Sequence, residues 1–170
     1  MDTSEHCKEV YAYFGLAMYR AQCVEQSIVQ LLIFFDFFIK NVPAFSTRDK
    51  WEEGFDRFDK ELSEKTMGQL LNLIRKLEIL DKDIEVILST ALKKRNWLAH
   101  SFFFEHALDF ISENGRNNMI KELNNSIDVF NSVEDILNPI SHNAALKYGL
   151  TDEVLDEIER KICESAKTNR

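Results

Sequence analysis

Apolar side chains recur every three or four residues along most of this chain, which is the spacing of packed α-helices. The longest such stripe predicts a first helix from near Thr3 or Ser4 to about Lys40, beyond which Pro43 blocks continuation. The stripe consists of Val10, Phe14, Ala17, Ala21, Val24, Ile28, Leu31, Phe35 and Phe38.

The segment 44–65 is predicted to be an aromatic-rich excursion that contains a short helix, with Ser46 or Thr47 as its N-cap. Gly54 and a high density of charges weaken the helical pattern there. Aromatic side chains at helical spacing are more typical of a core than of a base-stacking surface. Those of this segment are Trp51, Phe55 and Phe58.

Two further helices are predicted in the middle of the chain. The sequence from Thr66 to Gln69 has the form of a capping box, in which two side chains satisfy the first backbone N–H groups of a helix. The next helix is predicted to run from Ile84 to about Phe104, with Asp81 or Asp83 as its N-cap.

A turn around residues 112–115 is predicted to separate that helix from a long apolar seam over residues 120–140. Pro139 is expected to kink or end the long helix, although the apolar pattern resumes beyond it. Gly149 marks the boundary to a last helix, and residues 164–170 are predicted to form a frayed tail. Because no strand-like alternation is visible, we expect one all-α domain over 1–170, an antiparallel bundle of four to six helices.

Composition narrows the class of protein. Hydrophobic residues make up 45% of the chain and charged residues 29%, which is typical of a globular domain and argues against disorder. The net charge of −8 would repel phosphates, which argues against non-specific coating of nucleic acid but does not exclude a small basic cleft. Cys7, Cys23 and Cys163 are odd in number and widely separated, which favours free thiols and a cytoplasmic location.

Neither a membrane span nor a resident cofactor is expected. No signal peptide is recognisable, and the most apolar run, 31–39, is short and contains Asp36, so we interpret it as core. His100, Glu105 and His106 have poor spacing for a metal site on one helix, and no nucleotide-binding or zinc motif is present.

Arg95 is the residue that breaks the apolar pattern. On a helical wheel of 84–104 it falls in the middle of the face formed by Leu88, Ala91 and Leu98. Burying a guanidinium without a partner is costly, so a carboxylate, a wet cleft or a second subunit has to surround it. Glu25 lies near the apolar face of the first helix and is therefore the predicted counter-charge for Arg95.

Asn96 and His100 are four residues apart and share the side of the helix next to that face. Arg95 and His100 differ by roughly 140° around an ideal helix, which is compatible with a joint site but does not require one. The residues alone are also compatible with a purely structural role. In that interpretation Arg95 and Glu25 fix the register of their helices, His100 lies at the edge of the core and Asn96 is solvated.

The string Lys94-Arg95-Asn96-Trp97-Leu98-Ala99-His100-Ser101-Phe102-Phe103 resembles the R-x(4–6)-H signature of the HEPN superfamily. The common form of that signature is arginine, a polar residue, three further residues and histidine. Two other segments fit the resemblance: Ala21-Gln22-x-x-Glu25 in the first helix and Met67-Gly68-Gln69-Leu70 at a capped helix start.

This resemblance implies a HEPN-like homodimer with two copies of the motif facing one cleft, and metal-independent endoribonuclease activity in active members. It assigns His100 as the acid/base, Arg95 as the phosphate clamp and Asn96 as a positioning residue. In family toxins that pair with minimal nucleotidyltransferases, a tyrosine two residues after the histidine accepts a nucleotide. Phe102 occupies that position here and has no hydroxyl, so control by adenylylation at this position is not expected.

A candidate basic patch near the motif consists of Lys93 and Lys94, together with Arg75 and Lys76. Charged residues on helices more often form a solvated face. The leading hypothesis is an RNA-cleaving protein of toxin–antitoxin, stress or phage defence systems, with RNA and an antitoxin or regulator as expected partners. The alternatives are a helical module that binds RNA, nucleotide or protein without cleavage, and a purely structural dimerisation domain.

Overall fold

The structure is a computed structural model that describes residues 3–168, and within that range it contains helices and no strand. The predicted all-α class is therefore confirmed. Six helices have ten or more residues, and α5 is a single turn. The helices are α1 (Thr3–Asn41), α2 (Arg48–Ser63), α3 (Met67–Lys76), α4 (Lys82–His100), α5 (Phe102–Glu105), α6 (Glu113–Lys147) and α7 (Asp152–Thr168).

The long helix α1 forms the centre of the core. Its predicted apolar stripe is buried at Val10, Ala17, Val24, Ile28 and Leu31. This helix is long and apolar enough to cross a membrane. The core helix of a globular domain meets the same criteria of length and composition. Its buried stripe packs against α3, α4 and α6, while Leu16 and Ile39 are among its apolar residues that stay exposed.

A π-helical turn at Ile33–Phe38 interrupts α1, which the helical periodicity does not predict. The aromatic excursion packs beside this turn. The ring of Phe37 is buried, and its centroid lies 5.1 Å from that of Trp51, 5.5 Å from Phe55 and 5.3 Å from Phe58. All three rings are half-buried around Phe37, and of the three only Phe58 also packs against the main core of the described residues.

The relative direction of α1 and α6 follows from the contacts between their ends. The ring of Tyr11 near the start of α1 contacts that of Phe110 just before α6, and Phe34 near the end of α1 stacks with Tyr148 just after α6. The two helices consequently run in the same direction. The antiparallel arrangement expected from the sequence holds for α4, which runs against both, and not for the α1–α6 pair.

The helix starts agree with the capping residues read from the sequence. The Thr47 hydroxyl accepts a hydrogen bond from the Lys50 N–H, and Thr66 with Gln69 forms the complete capping box. The Asp81 carboxylate accepts from the Ile84 N–H at 2.9 Å, so Asp81 rather than Asp83 caps α4.

The segment after α4 differs from the prediction. The helix expected to continue to about Phe104 ends at His100, and Ser101 separates it from α5. The turn expected at 112–115 is in fact the start of α6, with Ser112 as the N-cap whose hydroxyl accepts from the Gly115 N–H. Gly115 is required for a close approach, because a side chain there would overlap the Asp109 carbonyl.

Near the C-terminus, α6 continues through Pro139 to Lys147, so the proline does not end the helix as the sequence suggested it could. Buried Leu137, Ala144 and Ala145 hold both sides of the proline against the core. Gly149 has a φ of 77°, which is the left-handed conformation that ends helices. Helix α7 extends through Thr168 into the segment predicted to fray, and residues 169 and 170 lie outside the described range.

Candidate functional site

Arg95 and Glu25 form the predicted ion pair between α4 and α1. The Arg95 Nε donates to the Glu25 Oε1 at 3.1 Å, and the two side chains are 29% and 21% exposed. Arg95 lies on the helix face that buries Leu88, Ala91 and Leu98, and its guanidinium emerges at the edge of the core. The carboxylate therefore compensates the charge that the sequence placed in an apolar seam.

The pair leaves part of the guanidinium available. Glu25 engages only the Nε, and the Nη1 donates to the amide oxygen of the adjacent Asn96 at 3.4 Å. In the described residues the Nη2 has no partner. A guanidinium that is fixed at its Nε and open at its Nη2 is suited to donate hydrogen bonds to a phosphate.

Lys93, Asn96 and His100 form one exposed polar stripe on α4, because they are three, four and seven residues apart. His100 is the last residue of the helix, and its ring makes no hydrogen bond or ion pair with any other residue in 3–168. Since α4 stays regular to its end, the ideal separation of about 140° between Arg95 and His100 applies.

Lys94 is directed away from that stripe. Its ammonium lies 5.2 Å from the centroid of the Trp97 ring, and the Trp97 N–H donates to Glu105 at 2.9 Å. Arg75, which the sequence suggested for the basic patch, is occupied by Ser89 at 2.8 Å and Glu85 at 3.7 Å. The structure thus keeps Lys93 with the motif and gives Lys94 and Arg75 structural partners.

A polar groove of about 550 Å³ adjoins Glu25 between α1 and α6. It is lined largely by amides and carboxylates, and a hydrogen bond with the Cys23 thiol raises the pKa of Tyr19 at its edge. The groove provides hydrogen-bonding groups next to the Arg95 ion pair. Its main polar lining residues are Gln22, Gln26, Gln30, Glu134 and Asn138.

His106 is a second histidine whose setting the sequence did not reveal. It is 8% exposed, and its ring lies between Asp109 at 2.8 Å and Glu122 at 3.4 Å. The Asp109 spacing of three residues was a usable signal, but the contact with Glu122 depends on the tertiary fold. These contacts fasten the segment after α4 to α6, and they leave His106 in a structural position.

The residues that follow His100 alternate between core and surface. Phe102 is fully buried and stacks on Phe14 with a centroid distance of 5.7 Å, so this position is part of the core. Phe104, Leu108 and Ile111 are instead 86%, 83% and 75% exposed, and we call these three side chains the terminal apolar patch. The motif is therefore followed along the chain by large apolar side chains that the described residues leave uncovered.

No cluster of three or more histidine, cysteine or acidic side chains with metal-binding geometry occurs among the described residues. Comparison of the chain with family models, with curated proteins and with solved structures gave no match. The resemblance to the HEPN signature consequently depends on the sequence motif and its two supporting segments alone.

Proposed function

We propose that this protein is a HEPN-like, metal-independent endoribonuclease that acts as a homodimer in the cytoplasm. The observation that carries the proposal is the half-buried Arg95, oriented by Glu25 and open at its Nη2, beside the exposed stripe of Lys93, Asn96 and His100. This set provides a fixed cation, a histidine that is able to transfer protons and a further cation, which are the groups that RNA cleavage by transesterification needs.

The proposed reaction uses the 2′-hydroxyl of the RNA as the nucleophile. An imidazole of His100 removes its proton while the 2′-oxygen attacks the adjacent phosphorus, and the bond from phosphorus to the 5′-oxygen breaks. A protonated imidazole donates a proton to that leaving oxygen, which gives a 2′,3′-cyclic phosphate and a 5′-hydroxyl. Arg95 stabilises the charge that builds up on the phosphoryl oxygens, and Asn96 orients the phosphate.

Dimerisation fits this chemistry for two reasons. A base and an acid are needed at the same time, and two copies supply two His100 imidazoles. The terminal apolar patch also follows soon after His100 in the chain, and large exposed apolar side chains are typical of an interaction surface. We therefore place the motif at the dimer interface, with the acidic remainder of the surface limiting binding to defined RNA targets.

The decisive experiment incubates the purified protein with RNA in the presence of a chelator. We expect cleavage with cyclic phosphate ends, and we expect His100→Ala to lower the rate by about 10²-fold or more. His142→Ala is the matched control, because His142 is an exposed histidine on α6. Intact RNA with the wild-type protein, or equal cleavage by His100→Ala, would overturn the nuclease assignment.

A second candidate function is RNA, nucleotide or protein binding without cleavage. The observation that favours it is the absence of any described side chain that orients the His100 ring, since a third group commonly orients a catalytic histidine. Under this alternative, fluorescence anisotropy with labelled RNA would show binding that Arg95→Ala weakens and His100→Ala leaves intact, with no cleavage. In either case we expect a role in toxin–antitoxin, stress or phage defence, with an antitoxin or regulator as a partner.

A further inference from the structure

The last helix, α7, has an apolar face that nothing in the structure covers. Every side chain from Asp152 to Lys167 is exposed, although the helix is clearly amphipathic. Its large apolar side chains are 39% to 63% exposed, and three of them follow the three- and four-residue spacing of a coiled-coil seam. The face consists of Val154, Leu155, Ile158 and Ile162.

A helix of this kind needs a partner to be stable. Isolated helices shorter than about 12–15 residues are marginal in water, and the 17 residues of α7 exceed that length only slightly. Most helical stability in proteins comes from packing of an amphipathic face, which α7 lacks here. Its base joins a mainly apolar groove of about 300 Å³, so the uncovered surface is continuous from α7 onto the end of the bundle. Residues that line this groove include Ile33, Phe34, Ala145, Leu150 and Leu155.

The charges of α7 indicate which partner fits. Residues 152–159 carry five carboxylates and no basic side chain, whereas residues 160–168 carry three basic side chains and one carboxylate. An anionic partner such as RNA or an acidic membrane is disfavoured by the excess of carboxylates. A second copy of the same helix in the antiparallel direction instead places each acidic half against a basic half.

Ion pairs within the helix occupy charges in its middle and leave charges nearer both ends available to a partner. Arg160 and Lys161 pair with Glu157 inside the helix, and the hydrogen bonds from Arg160 lower the pKa of Glu157. Lys167 near the end of α7 and Asp156 near its start have no ion pair within the described residues. Antiparallel pairing brings Lys167 of one copy towards the acidic first turns of the other.

We infer that α7 is a dimerisation helix that packs antiparallel against α7 of a second copy of this chain, through Leu155, Ile158 and Ile162. This surface is separate from the terminal apolar patch. At one end of α1, Tyr11 contacts Phe103, which is next to the terminal apolar patch in the chain. At the other end, Phe34 lines the groove beside α7. Tyr11 and Phe34 are 23 residues apart, which is about 34 Å along the helix. The inference does not depend on the proposed nuclease activity.

The test measures self-association of the full chain by sedimentation equilibrium. Both the reference protein and the variants carry Phe104→Asp, so that association through the terminal apolar patch does not contribute. We expect a dimer, and Ile158→Asp with Ile162→Asp raises its dissociation constant by about 100-fold or more. Val86→Asp, at a 65% exposed position on α4, is the control that leaves the constant unchanged.

Salt and a charge variant test the direction of pairing. Antiparallel pairing predicts that added sodium chloride and Lys167→Glu both weaken the dimer, and circular dichroism checks that each variant stays folded. A monomer at all concentrations, which would indicate that α7 folds onto its own groove or binds another protein, overturns the inference. A dissociation constant that Ile158→Asp with Ile162→Asp leaves unchanged also overturns the inference. A dimer that salt strengthens overturns the antiparallel direction of pairing.

Discussion

The ion pair between Glu25 and Arg95 gives the most direct test of what the motif does in the folded protein. We consider Glu25→Gln, which keeps the size of the side chain, Arg95→Met, which keeps most of its length, and the double variant. If the pair links α1 to α4, each single change leaves the other group without its charged partner. The double variant removes both charges and relieves that penalty.

The expected magnitude follows from the exposure of the pair. Exposed ion pairs contribute about 0.2–1 kcal/mol, whereas loss of one partner from a fully buried pair costs about 3–5 kcal/mol. Because both side chains here are less than a third exposed, we expect an intermediate value. Each single change should lower the free energy of unfolding by about 1–2 kcal/mol, and the coupling energy should be about 1 kcal/mol.

Urea unfolding followed by circular dichroism measures these quantities, provided that the slope of the transition is unchanged between variants. A coupling energy within about 0.3–0.5 kcal/mol of zero would refute the role of the pair in stability, since independent sites add to that accuracy. RNA affinity measured on the same four proteins separates the two roles of Arg95. Arg95→Met should lose affinity, whereas Glu25→Gln retains the guanidinium and should lose less.

Two glycines with opposite surroundings supply the remaining predictions. Gly15→Ala should raise the free energy of unfolding by about 0.5–1 kcal/mol, because Gly15 is exposed inside α1 and an added Cβ meets nothing within 4 Å. Gly115→Ala should lower it by about 1–3 kcal/mol, because the Cβ would overlap the Asp109 carbonyl. Urea unfolding measures both, and equal effects at the two positions would show that helix propensity alone decides them.

Much of the fold follows from local rules that a sequence displays. The α1 stripe, the caps at Thr47, Thr66 and Asp81, and the final glycine at position 149 depend on residues within a few positions of one another. The pairing of Glu25 with Arg95 was also accessible, since each departs from an otherwise apolar helix face and a buried charge needs a counter-charge.

The features that were not predicted depend on distant contacts. Gly115 resembles a turn residue in the sequence, and only the approach of the Asp109 carbonyl reveals that the glycine makes room within a helix. The π-helical turn at Ile33–Phe38 is accompanied by packing of α2 on Phe37. Pro139 is tolerated within α6 because buried side chains on both sides hold the helix against the core.

The geometry of α4 gives the R-x4-H motif a more specific meaning than its spacing alone. Arg95 is fixed at the edge of the core by Glu25, whereas His100 ends the helix about 140° further round and about 7.5 Å further along. One copy thus offers its guanidinium and its imidazole in different directions. A phosphate that contacts both is most readily held between two copies, which is why we tie the proposed chemistry to dimerisation beside the terminal apolar patch. The α7 surface lies at the other end of α1, so association there would not by itself assemble the site.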